Sequence, residues 1–245
     1  MYMWALFKKE VSYFLYSFTG YVIMAVFLIM TGLVLWILPG SGNIADAGFA
    51  TLDPLFGLAP YFFLFLIPAI TMKSFSEEMK SGTLEFLLTK PLSELAVIMA
   101  KHFAGVLLLL VSLIPTCIYY ISVYQLGNPV GNIDSGATWG SYLGLLMLGS
   151  SFVSVGIFCS ALTENQVVAF ILAVFASFLS YSGFSSAASI PVFSSLQFLL
   201  DYLSIDTHYS SISRGVVDSR DVIYFITFNA VFIFSTKLVI EKRKW

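Results

Sequence analysis

Six stretches of this chain are too long and too apolar to fit the core of a water-soluble domain: residues 20–38, 55–72, 103–126, 139–162, 166–184 and 222–240. A helix needs about 20 mainly apolar residues to cross the hydrocarbon of a bilayer. Lipid offers no hydrogen bonds, so each crossing segment must bond its own backbone, which selects helices over open sheets. The expected fold is therefore an all-α integral membrane protein with six transmembrane helices, residues 1–245 forming a single transmembrane domain. Composition agrees, with 58% hydrophobic and 11% charged residues, against about 25% charged in a soluble domain. Aromatic residues reach 17%, which suits a lipid-facing surface with interfacial belts. No basic stripe interleaved with aromatics is present, so nucleic acid is not an expected partner.

The span count turns on one segment. Residues 165–200 contain no charged side chain, a run too long for one span and short for two plus a turn. The string Ser182-Gly183-Phe184-Ser185-Ser186 and Pro191 read as a break, leaving 192–203 as a re-entrant or surface-lying amphipathic helix before the sixth span. Charge placement supports six. With the N-terminus inside, the cytoplasmic segments hold Lys8, Lys9, Lys73, Lys80, Lys90, Lys101, Lys237, Lys242, Arg243 and Lys244, while the outer segments hold only Arg214 and Arg220. That asymmetry follows the positive-inside rule, and a seventh span would reverse it. The acids sort as well: every Asp falls outside and every Glu inside. Ala45-Asp46-Ala47 resembles a cleavage site, but the preceding apolar run is longer than a signal-peptide core and follows an amphipathic stretch, so the first span is expected to stay.

Two segments are expected to lie on the membrane. In residues 3–18, Trp4, Phe7, Val11, Phe14, Leu15 and Phe18 share one helical face, with Lys8, Lys9, Ser12 and Tyr16 on the other. Such a basic amphipathic helix rests in the cytoplasmic interface; the plainer reading is the tilted start of the first span. The loop between spans two and three carries its own helix signals. Ser74 and Glu77 have capping-box spacing, Gly82 interrupts or bends the helix, and Leu84, Leu87 and Leu88 form an apolar stripe opposite Glu85. Pro91 stops the helix, and Ser93 caps the next with Glu94 in its first turn. Two short cytoplasmic helices, half polar and half apolar, make a rigid element that a cytosolic partner could push; a solvated connector is the plainer alternative.

The string Glu77-Glu78-x-x-x-Gly82-Thr83-Leu84-Glu85-x-Leu87-Leu88-x-x-Pro91 resembles the cytoplasmic-loop motif of the ABC-2 family of ABC transporter permeases. The likeness extends over the chain: its length, six-span topology, N-terminal amphipathic helix and re-entrant helices before the last span. Within the family, the opening Trp4-Ala5-Leu6-Phe7-Lys8-Lys9-Glu10 and the small outer loops resemble permease subunits associated with bacterial gliding motility. The resemblance implies a permease of the bacterial cytoplasmic membrane, both termini cytoplasmic, exporting its substrate. It implies a dimer, of identical or different subunits, driven by a separate cytosolic ABC ATPase that uses ATP and Mg. That ATPase would bind the loop and the N-terminal helix, with Glu77, Glu78 and Glu85 orienting or pairing the docked helix and Gly82 permitting close approach. Thr83, Leu84 and Pro91 complete the implied coupling set.

What the chain lacks agrees with that division of labour. No Gly is followed by Lys, so no Gly-x-x-x-x-Gly-Lys-Ser/Thr phosphate loop exists and no cofactor is expected on this chain. No Asp, Glu, Lys, Arg or His is expected mid-span, which argues against ion-coupled transport and suits a large or amphipathic substrate. His102 is expected at a membrane boundary. Asp201, Asp206 and His208 are read as a solvated outer loop, Cys117 and Cys159 as packing residues, and neither a metal site nor a catalytic cluster is expected. Gly140, Gly144 and Gly149, with Ser150, Ser154 and Gly156, mark a close helix contact within the subunit or across a dimer. Pro68 and Pro115 are candidate kinks, and Asn229 a helix-to-helix hydrogen bond. The competing readings are a membrane scaffold that recruits a cytosolic partner and an integral-membrane enzyme; the latter lacks a polar cluster.

Overall fold

A computed structural model describes residues 2–40, 42–89 and 92–243. Among these, no strand occurs and six helical stretches are long and apolar enough to cross a membrane. The chain is a multi-pass all-α membrane protein. An interfacial-type helix α1 (Tyr2–Leu15) leads into the first span, α2 (Phe18–Trp36). After the short α3 (Ile44–Ala47), α4 (Asp53–Thr71) forms the second, followed by α5 (Ser76–Lys80) and α6 (Thr83–Leu88). The third span is α7 (Glu94–Leu113) continued, past a 3-10 turn at Ile114–Thr116, by α8 (Cys117–Leu126). Then α9 (Ser135–Leu162) and α10 (Gln166–Phe178) form the fourth and fifth. The chain runs on through α11 (Phe184–Ala188), α12 (Gln197–Leu203) and α13 (Ile205–Ile212) to the sixth, α14 (Ser219–Lys242).

The alternating spans give two chemically distinct ends. All seven Glu and the described Lys residues lie at the end carrying α5 and α6, here the basic end; all seven Asp, with Arg214 and Arg220, lie at the other, the aspartate end.

The fourth span is the axis of the bundle. Of its apolar stretch 72% is buried, against 22% for α2 and α14, and it packs on α4, α7, α10, α13 and α14. Its small residues explain how. A Cβ at Gly140 would press on the Gly215 backbone, at Gly144 on Ile212, at Gly149 on Leu109 and Ile67, and at Gly156 on Thr71. These glycines thus serve close approach within the chain, where van der Waals packing rather than the hydrophobic effect joins helices in lipid. Asn229 of α14 bonds chiefly to its own helix, at Phe225 O (2.9 Å), and reaches Ser151 of α9 only at 3.5 Å.

Several expected boundaries shift. The third-span helix starts at Glu94 rather than near 103, because Ser93 Oγ accepts from Ala96 N (3.2 Å) and caps it there. Lys101 and His102 therefore sit inside a helix, both buried, and not at its boundary. The fifth span does not break at Ser182–Ser186: it absorbs an extra residue as a π turn over Leu179–Gly183 and continues to Ala188. The following segment is a 3-10 helix, Pro191–Leu196, and α12, rather than one amphipathic helix, and is succeeded by the unforeseen α13. That helix buries Ile205, His208, Tyr209 and Ile212. Pro60 inside α4 removes the N–H that would bond Phe56 O, and the Tyr209 hydroxyl donates to that carbonyl instead (2.7 Å). Pro115 sits in the 3-10 turn that divides the third span.

Candidate coupling site

The sequence signals converge on the basic end, where α5 and α6 form a helical hairpin. Gly82 adopts a left-handed φ of 68° between them, a conformation that costs a glycine little and other residues more. Ser81 Oγ lies 2.8 Å from Thr83 Oγ1 and donates to Glu77 O (2.8 Å), closing the turn. The capping box expected of Ser74 does not form. The α5 N-cap is Phe75, with no side-chain cap, and the backbone there is held from another span. Ser160 of α9 accepts from Phe75 N (2.9 Å) and Ser76 N (3.1 Å) and donates to Met72 O (3.1 Å), which Ser76 Oγ also bonds. One hydroxyl thus fixes the angle at which the second span hands over to α5.

A buried ion cluster lies beneath this joint, and sequence reasoning missed it. Lys101 of α7 has a side chain only 1% exposed. Its ammonium donates to Glu10 Oε1 of α1 (3.0 Å) and Ser74 O of the joint (2.6 Å) and pairs with Glu78 Oε1 of α5 at 3.1 Å. The ammonium also lies over the Phe75 ring at 5.0 Å. Lys9 bridges Glu78 (3.3 Å) from the exposed side, and the Tyr13 hydroxyl donates to Glu77 (3.1 Å). Burial and that bond to a carboxylate hold the Tyr13 phenol above its usual range. Two lysines and two glutamates balance, which is what makes the burial tolerable. The signals available beforehand were a lysine eight residues into an apolar helix and Glu10 on an otherwise basic amphipathic segment.

The expected coupling residues therefore divide. Glu77 and Glu78 turn inward and clamp α1, rather than standing free for a partner. Leu84 is buried and Leu87 packs on the core, while Glu85 is exposed and Phe86 is 73% exposed. Lys90, Pro91 and Lys244 lie outside the described residues, as does the Leu88 side chain. A groove of about 540 Å³ opens beside α6, lined by Met79, Gly82, Leu84, Glu85, Glu164 and Arg243. Arg243 in turn donates to Leu162 O (3.0 Å), tying the end of the last span to the end of the fourth. The site thus has a rigid, ion-clamped base and an outward face bearing one acid and one large ring. Among the described residues no cluster of metal-binding side chains occurs.

Comparison with known families places residues 12–180 in the family described as ABC-2 family transporter protein. The match spans more than half of the chain, including the first four spans, most of the fifth and the α5–α6 hairpin: this protein belongs to the ABC-2 transporter family, as a membrane component of an ABC transporter. No curated protein matches the chain.

Proposed function

We propose that this chain is the permease subunit of an ATP-driven exporter in the bacterial cytoplasmic membrane, its basic end facing the cytosol. A separate ABC ATPase, which binds the ATP and Mg, docks on α6 and the groove beside it, and the permease works as a dimer. The chain itself then carries no catalytic step. The observation that supports this most is the division of the hairpin: α5 is clamped by buried charge to α1 and α7, while Glu85 and Phe86 of α6 point outward. A rigid base with a free face can pass a push from a partner into two spans, so that the partner's nucleotide state biases the transmembrane equilibrium. The charge asymmetry between the ends supports the orientation. Within the family, the opening segment favours a subunit of a gliding-motility-associated transporter.

Glu85→Lys reverses the charge of the free face without touching the buried cluster. The variant should insert normally yet lose co-purification of the ATPase by tenfold or more, on the order of 1–3 kcal/mol. Full recruitment with full transport in that variant would overturn the docking role.

A further inference from the structure

At the basic end a polar trough runs into an apolar crevice. The trough has one part of about 170 Å³ beside the α4–α5 joint and another of about 60 Å³ beside the turn between α1 and α2. Tyr13 and Lys73 line both parts. The second part shares Ile23 of α2 and Ala69 of α4 with a crevice of about 520 Å³ between those two spans. Aliphatic and aromatic side chains line the crevice, Phe170 of α10 among them. From Ala69 to Tyr61 it follows α4 over about 12 Å, at 1.5 Å of rise per residue. That is most of the ~15 Å half-thickness of a bilayer's hydrocarbon core.

The charges around the trough leave one of each sign over. Glu10 and Glu78 are matched by Lys9 and Lys101. Lys73 has no ion pair or hydrogen bond among the described residues, and Glu77 is partnered by the Tyr13 hydroxyl and by no cation. Both are half-buried and line the larger part of the trough. Opposite charges held apart in one cavity suit a zwitterion laid between them. The cationic side is reinforced by the start of α2. Ser17 caps that helix without a side-chain bond, and Ser17 and Thr19 border the same cavity as Lys73. A lysine, two hydroxyls and the positive end of a helix are the setting that binds a phosphate. Tyr16 and Phe18, 88% and 84% exposed, put this turn where aromatic residues meet lipid headgroups.

We propose that the trough and crevice together bind one phospholipid with a primary-ammonium headgroup, drawn from the leaflet at the basic end. Its phosphate lies against Lys73 and the start of α2, its ammonium donates to Glu77, and one acyl chain fills the crevice between α2 and α4. The lipid then wedges the angle between α1 and the first two spans. A phosphoglycerol headgroup satisfies Lys73 but sets no cation against Glu77, and a choline headgroup has no N–H to donate. Glu85 and α6 lie outside this site, so it is independent of ATPase docking.

Native mass spectrometry of the full-length protein in detergent, titrated with phosphatidylethanolamine, phosphatidylglycerol or phosphatidylcholine, tests this. The wild type should take up one phosphatidylethanolamine with about tenfold higher affinity than either other lipid, the effect of one charge-assisted bond. Lys73→Gln should weaken phosphatidylethanolamine and phosphatidylglycerol alike, about tenfold. Glu77→Gln should weaken phosphatidylethanolamine alone and so erase the preference. Val26→Trp, at a position 54% exposed on the crevice wall, should block uptake of all three with the fold intact, judged by an unchanged melting temperature. Equal affinity of the wild type for the three lipids would overturn the proposal. So would phosphatidylethanolamine binding that Lys73→Gln and Val26→Trp leave unchanged.

Discussion

Lys101 shows how one side chain can organise a junction that no local pattern announces. Its acceptors stand at positions 10, 74 and 78, up to 91 residues away in sequence, and come together only once α1 has folded back on α7. Removing the cation leaves two carboxylates in a site built to exclude water, and a buried charge without its partner is costly, about 3–5 kcal/mol. Lys101→Met should lower stability by that order in detergent-solubilised protein, measured by chemical denaturation. Adding Glu10→Gln and Glu78→Gln should recover much of the loss, because no unpaired charge then stays buried. If the triple variant is as unstable as Lys101→Met, the cluster is not held by its charge balance. The cluster is hidden in the sequence because the apolar run that marks the third span begins only near 103, which leaves Lys101 on the aqueous side of it.

At the scale of elements, the spans were the legible part of the sequence and their joints were not. Length and hydropathy suffice for a helix that must satisfy its own backbone, and Ser93 and Gly82 announced a cap and a break that the structure contains. The α4–α5 joint was not legible, because the hydroxyl that shapes it belongs to Ser160, more than eighty residues on. Ser160→Ala would leave two buried backbone N–H groups without an acceptor, about 1–3 kcal/mol each. Amide exchange at Phe75 and Ser76 should rise tenfold or more, with the rest of α9 unaffected. The π turn was likewise hidden: Ser182-Gly183 looked like a stop, yet the helix accommodates it. Small residues in the fourth span announced close packing but not its partners. Gly156→Leu should force α9 from α4 at Thr71 and destabilise by about 1–3 kcal/mol, whereas Gly57→Ala, with open space around it, should leave the melting temperature nearly unchanged.

For the molecule as a whole, the fold joins a buried axis to two ends of opposite character. Described lysines and glutamates gather at the end carrying the hairpin, and aspartates at the other. The family was legible from the hairpin string, because Gly82 and the leucines that follow it carry the geometry of the turn and the docking of α6. Which acids face a partner was not, since Glu77, Glu78 and Glu85 look alike in sequence and only Glu85 is left outside. Under the docking proposal, transport depends on one face being gripped from the cytosol. The most direct measurement is site-specific photocrosslinking in intact cells, with a benzophenone amino acid at Phe86 of α6 or at Phe49 of the opposite end, each largely exposed. Under the docking proposal, Phe86 captures a polypeptide that carries a nucleotide-binding phosphate loop, identified by mass spectrometry, and Phe49 does not. Capture of that ATPase from Phe49, or from neither position while the complex remains assembled, would contradict it.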